Sequence, residues 1–353
     1  MKSVFVSSLA VLLSLTLAVF SLSRTASANN VPQSAKEARV EHAQQWINFL
    51  ASDELKGRKT GTPEMKQVHA WLEQRFKAIG LKPLPETDSY RQEFSFEHKG
   101  NSIDAVNYIG YIDCRCDNDK YIMVGAHYDH VGQNPALEGD ITFNGADDDA
   151  SGVVASLVIA ELLAQKESLP FNIIIAAWDA EEMGLLGSKH FAENPLVPLN
   201  KVETGIMFEL VGTPVEEHPN SAWMTGNQYS NLFALLQDDF SKAGWSLDAD
   251  PFAQMGLFMR SDNAPFALMD LTQQKAEQVF KHGQQADITG IPMHAISVWR
   301  GQDHYHQVHD EAEIIDVPNL VALSEVIADA IANLSADTKV VWKENPHFKF
   351  SRP

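Results

Sequence analysis

Apolar residues are spaced in several different ways along the chain, and each spacing predicts a different element. From 4 to 22 they run almost unbroken, interrupted by Ser7, Ser8, Ser14 and Ser21. From 35 to 81, Trp46, Ile47 and Leu50, then Val68, Trp71, Leu72, Phe76 and Ile79, recur at helical spacing. They predict two helices around a polar turn at 52–63, with Thr62-Pro63 opening the second. Residues 82–119 predict irregular structure and short strands. The runs 121–126 and 171–178 are short and wholly apolar, as buried strands are. Between them Val153, Val154, Leu157, Val158, Ala160, Leu162 and Leu163 mark a helix, so the three make a βαβ-like unit. Further strands are expected at 204–210 and 294–299, and helices at 231–243 and 317–334. The fold class is α/β, with a largely parallel sheet between helices.

The first apolar run follows Lys2 and ends in Ala26-Ser27-Ala28, a small-x-small site that signal peptidase accepts. Residues 1–28 therefore read as an export signal rather than a membrane anchor, and the mature chain is expected to begin near Asn29. Export implies a periplasmic or extracellular location. About 325 residues remain, the size of one large α/β domain with decorations. The formal net charge of -20 becomes about -22 once Lys2 and Arg24 are lost. So acidic a chain is not expected to bind nucleic acid or anionic lipid. Cys114 and Cys116 flank one residue, Arg115, and imply no disulfide framework; two thiols in a loop or one local bridge without function is the expectation, with a strained redox pair or a metal clip as the alternatives.

In an open α/β sheet, ligands bind beyond the carboxyl ends of the strands. There this chain carries His127-Tyr128-Asp129-His130 after the first run and Asp179-Ala180-Glu181-Glu182 after the second, with Glu209 after the third. Asp147-Asp148-Asp149 precedes the helix of the unit. Each piece alone has an ordinary explanation as a helix cap, a surface acid or a hydrogen-bonded histidine. Together they put mutually repelling acids on one rim, a conflict that cations resolve. Mixed imidazole and carboxylate donors suit zinc, or less selectively cobalt or manganese.

These segments resemble peptidase family M28, the zinc-dependent aminopeptidases and carboxypeptidases. The resemblance rests on 126–129, 144–152, 179–188, 207–212, Ser261-Asp262-Asn263-Ala264-Pro265-Phe266 and Tyr305-His306, in family order over 120–316. It implies a three-layer αβα exopeptidase fold, with a helical lead-in at 29–95, a peptidase domain at 96–340 and a tail at 341–353. It further implies two Zn2+ ions, one on His127, Asp148 and Glu209 and the other on Asp148, Glu182 and His306, with Co2+ or Mn2+ as substitutes. Asp148 would bridge both, since the family's bridging acid immediately precedes the Asp-Ala-Ser-Gly element, and a cis peptide often follows it. Glu181 would be the general base acting on a metal-bridging water, Asp129 would accept the remaining N–H of the His127 imidazole, and Tyr305 could hydrogen-bond the oxyanion. The implied activity is aminopeptidase, on peptides with a free N-terminus.

Two departures stand out. Glu209 fills a position often taken by Asp, and the stretch 268–290, with a helix-prone 273–285, lengthens the segment that could wall the substrate cleft. His304 and His309 flank His306, but the Tyr-His-x-x-x-Asp register to Asp310 favours His306. His130, if the backbone stays extended, is expected to point away from the site. Dipeptidase or carboxypeptidase activity and a non-catalytic metal-binding ectodomain are the alternatives. A carboxypeptidase for acidic peptides would need a basic pocket, and the cation at hand is Arg260, immediately before Ser261. A glutaminyl cyclase would use one zinc and a changed ligand set. The oligomeric state is not legible.

Overall fold

The computed structural model describes residues 33–269, 290–300 and 304–343. The expected signal segment, positions 270–289 of the lengthened stretch and the tail beyond 343 lie outside the described residues. Among the described residues, no helix is long and apolar enough to cross a membrane.

Helices α1 (Gln33–Leu50) and α2 (Met65–Ile79) come first. They are followed by β1 (Lys82–Pro83), β2 (Arg91–His98), β3 (Asn101–Ile112) and β4 (Tyr121–His127). After a small ribbon of β5 (Gly132–Gln133) and β6 (Thr142–Phe143) come α3 (Gly152–Ala164), β7 (Asn172–Trp178), α4 (Leu186–Glu193) and β8 (Val202–Phe208). The chain continues through β9 (Ser221–Met224), α5 (Leu232–Lys242), β10 (Ser246–Ala249), α6 (Ala264–Ala267), β11 (Met293–Ser297) and α7 (Val317–Asn333). The second helix starts at Met65, past the expected Thr62-Pro63, because Thr62 N and Oγ1 both bond the Lys59 carbonyl and close a turn there.

One nine-stranded sheet has the order β1-β3-β7-β4-β8-β11-β9-β10, with β2 also pairing β3. The centre, β7, β4, β8 and β11, is parallel, and β3 joins antiparallel to β7. Strands β4 and β7 are buried at every position, as the uninterrupted apolar runs require. Alternate residues feed two cores. Ile122, Val124, Ile173 and Ile175 pack under α1, α2, α3 and α7, whereas Met123, Ile174, Trp178 and Met207 pack with Phe191 of α4 and Phe266 of α6. The result is the three-layer αβα arrangement.

The region 82–119 departs from expectation: β2 and β3 form a long hairpin rather than short strands. Lys99 and Gly100, both at positive φ, make the two-residue turn between the paired His98 and Asn101. The half-exposed alternation of β2 carries little apolar signal, so this pairing was not legible. The expected boundary at 95/96 falls inside β2. Cys114 and Cys116 form a local disulfide on the β3–β4 connection.

Candidate metal centre

The chain leaves β4, β7 and β8 on one rim, and sharp turns aim the following residues inward. Ala180, Leu210 and His306 adopt positive φ of 56°, 55° and 51°, a region L-residues enter at some cost. Between β6 and α3, Asp148 and Asp149 leave helical geometry, and the peptide joining them is cis. Gly145 permits this turn: a Cβ there would overlap the Asp148 carbonyl and meet the His130 ring at 2.6 Å.

Protein donors occupy both oxygens of Asp147 and one oxygen of Asp149. Asp147 accepts from Gly212 N (2.7 Å), Thr213 Oγ1 (2.6 Å) and Ser151 Oγ (3.2 Å), and its Oδ2 lies 2.9 Å from His304 Nε2. Asp149 accepts from Gly152 N and Leu210 N. Asp148 faces imidazoles instead. Its Oδ1 is 3.2 Å from His127 Nε2, and its Oδ2 is 3.2 Å from His306 Nε2 and 3.9 Å from His130 Nδ1. Glu182 Oε1 lies 2.9 Å from His306 Nε2 and 3.0 Å from His130 Nδ1, and Glu209 Oε2 is 3.8 Å from His127 Nε2. Two groups able to hold a metal ion follow: His127, Asp148 and Glu209, and His130, Asp148, Glu182 and His306. Donor atoms within each lie within 4.8 Å of one another, and Asp148 belongs to both.

His130 corrects an expectation, because it turns into the site rather than away. Strand β4 ends at His127, and the His130 amide donates to the Arg58 carbonyl, which breaks the extended alternation. Asp129 also departs in detail. His127 Nδ1 meets the Asp129 backbone carbonyl at 3.0 Å and its carboxylate only at 3.7 Å. The carboxylate accepts instead from Glu181 N (2.9 Å), Glu182 N (3.3 Å) and Thr60 Oγ1 (3.2 Å). It therefore fixes the turn that presents both glutamates. The Glu181 carboxylate reaches within 4.0 Å of His127 Nε2. Tyr305 is 36% exposed, and its ring stacks on His306 with centroids 4.0 Å apart.

Sequence reasoning gave no role to three buried groups. Arg58 is fully buried and donates to the carbonyls of Tyr128, Leu50, Asn144 and Gly145, which lie around both ligand-bearing loops. Nothing in its polar turn signals this. Asp310 accepts from the amides of Asp147 and Asp148; the Tyr-His-x-x-x-Asp register contained it without revealing that work. Asp262 accepts from Ser188 Oγ and is pushed up to about 7, chiefly by burial.

Charge in the site is strongly interdependent. Burial opposes the His127 imidazolium, yet Glu181, Asp129, Asp148 and Glu209 outweigh it and raise it well above the ordinary range. Burial likewise opposes the Asp148 carboxylate, but His127, His306 and His130 hold it well below its usual value. Glu181 moves the other way: burial, Glu209, Asp262 and Glu182 raise it, against the pull of His127. Burial raises Tyr305, with Asp148 and Glu182 adding to it, so its hydroxyl stays a donor. A divalent cation fits these residues. Buried Asp148 Oδ2, Glu209 Oε1 and both His130 ring nitrogens have no hydrogen-bond partner, an arrangement native interiors avoid unless something else binds there, and the mixed nitrogen and oxygen donors suit zinc.

A cavity of about 150 Å3 adjoins the rim, lined by Trp223, Phe252, Met255 and Leu257, with Glu209, Arg260, Arg300 and Tyr305 also at its walls.

The sequence profile of peptidase family M28 matches residues 107–331. A Pseudomonas aeruginosa protein named aminopeptidase is 38% identical over 103 residues, 28% of this chain and 17% of that protein. The matched stretch is thus under a fifth of that relative's length. Among solved structures, a zinc aminopeptidase from Bacillus subtilis superposes with TM-score 0.63 at 16% identity, covering 85% of this chain and 96% of that one. A glutaminyl cyclase from Porphyromonas gingivalis superposes with TM-score 0.60 at 22% identity, over 84% and 96%. At these identities the structural likeness concerns the fold.

Proposed function

The chain belongs to peptidase family M28, and from that membership we propose that it is an exported aminopeptidase holding two zinc ions on His127, Asp148, Glu182, Glu209 and His306. The observation that carries this reading is the position of Asp148, whose two oxygens face separate imidazoles, each beside its own glutamate. Bound zinc supplies Lewis acidity at the scissile carbonyl.

The protein's own groups do the rest. Glu181 takes a proton from the attacking water and returns it to the departing amine. Asp129 keeps Glu181 in place by accepting its backbone N–H. Tyr305 stays protonated and donates to the developing oxyanion. The Glu209 carboxylate at the wall of the cavity suits the free α-ammonium of a peptide. Trp223, Phe252, Met255 and Leu257 favour a large apolar N-terminal side chain. A second reading at the same site, dipeptide hydrolysis, is favoured by Arg260, which lines that cavity and offers a C-terminal carboxylate a cationic partner.

The test is hydrolysis of leucyl, phenylalanyl, alanyl and glutamyl p-nitroanilides, and of dipeptides, with and without a chelator. Chelator-sensitive release with apolar preference is expected, and no such release across the panel would remove the enzyme reading. Glu181→Gln should retain its metal while kcat falls about 10²- to 10⁴-fold; full activity in this variant would remove the mechanism. We further propose that residues 1–28 are cleaved on export, which N-terminal sequencing of the secreted protein checks.

A further inference from the structure

The two metal groups are unequal. His127, Asp148 and Glu209 offer three side chains, whereas the second group offers Asp148, Glu182, His306 and one more, His130. His130 is buried, and neither ring nitrogen has a hydrogen-bond partner. Its Nδ1 is 3.0 Å from Glu182 Oε1, yet out of line for a hydrogen bond. A buried imidazole that faces two carboxylates and hydrogen-bonds to neither carries a cost that a packing role does not explain.

Donor spacing points to coordination. Zinc bonds of about 2.0 to 2.1 Å at tetrahedral angles set donor atoms roughly 3.3 Å apart. In the second group the separations are 2.9 Å (His306 to Glu182), 3.0 Å (His130 to Glu182), 3.2 Å (His306 to Asp148) and 3.9 Å (His130 to Asp148). His130 thus sits as far from the two carboxylates as a fourth ligand would. Its ring lies edge-on to His306, with centroids 5.4 Å apart, and packs against Gly145, where any Cβ would displace it.

We propose that His130 is a fourth protein ligand of the ion held by Asp148, Glu182 and His306. This rests on the two-ion reading above and makes the two ions different in kind. Four protein ligands close a zinc site in the manner of structural sites, whereas three leave a position open, as catalytic sites do. The open site is therefore the His127, Asp148 and Glu209 group. Glu209 is also the one side chain of the two groups that lines the substrate cavity. The His130 ion binds more tightly and fills first, and the other ion meets the substrate.

The experiment titrates the metal-depleted full-length protein with Co2+, followed by visible absorption, and with Zn2+ against a competing chelator. Wild type is compared with His130→Phe, which preserves ring shape, and with His130→Asn should the first variant fail to fold. Wild type should take up two equivalents in distinct steps. In the variant the tighter step should weaken by more than about a hundredfold, beyond the ~10- to 100-fold range for losing a mere supporting residue, and the cobalt band of that step should change. The weaker step should stay put. Unchanged affinities and an unchanged spectrum would overturn the assignment. Uptake of one ion by wild type would instead refute the two-ion reading, and that ion's response to His130→Phe would still decide the role of His130.

Discussion

Replacing Arg58 with Gln tests whether the metal loops hang on one buried guanidinium. Its side chain donates four hydrogen bonds to backbone carbonyls, from Leu50, Tyr128, Asn144 and Gly145. Hydrogen bonds from a charged donor contribute about 1.5 to 3 kcal/mol each, so the lower limit for four is about 6 kcal/mol. Against this stands the burial of the cation. Burial, partly offset by Asp310, Asp148, Asp129 and Asp149, holds its pKa at about 10 rather than 12.5, a cost of about 3 kcal/mol. The balance is a destabilisation of about 3 kcal/mol or more in Arg58→Gln, within reach of the 3 to 5 kcal/mol typical for breaking a buried charged network. Arg58→Lys keeps the charge but gathers its donors on one nitrogen, which cannot span four carbonyls, so it should fall between. Urea unfolding of the metal-depleted protein measures both variants. Amide exchange should rise first at 128–130 and 144–149. A loss below about 0.5 kcal/mol in Arg58→Gln, the level of an ordinary surface substitution, would refute the reasoning.

Asp148→Asn should weaken both ions, because one side chain serves both groups; metal analysis finding two full equivalents at wild-type affinity would count against the bridge. His294 on β11 bonds Thr225 O and Ser230 Oγ, and burial lowers it from 6.5 to about 4 against the opposing Thr225 bond. The unfolded imidazole titrates near ~6.5 and takes up a proton that the folded one refuses. Stability therefore falls as pH drops from about 6.5 to 4, by up to about 3 kcal/mol. His294→Gln should flatten that slope in urea midpoints measured across the range, and an identical slope would sink the attribution.

What the sequence determined by itself was local in origin. The wholly apolar runs at β4 and β7 and the helical stripe between them are set by the solvation of their own side chains, and they fixed the parallel centre and hence the rim. Residue types just past the strands made His127, Glu182 and Glu209 legible as candidates, the resemblance to family M28 singled out Asp148 and His306, and the structure brings all five together. The β2–β3 hairpin was not legible, since a half-exposed strand is held by its partner and not by its own pattern. Tertiary structure alone decided three further matters. It separated Asp148, which faces two imidazoles, from Asp147 and Asp149, because donors from Gly212, Thr213 and Leu210, some 60 residues away in sequence, occupy Asp147 and one oxygen of Asp149. It turned His130 inward through a bond to the Arg58 carbonyl. It buried Arg58 among carbonyls from both loops, a role that depends on contacts as far as 87 positions along the chain. The direction of a side chain after a strand ends is set by what the chain meets next, and that partner is distant in sequence.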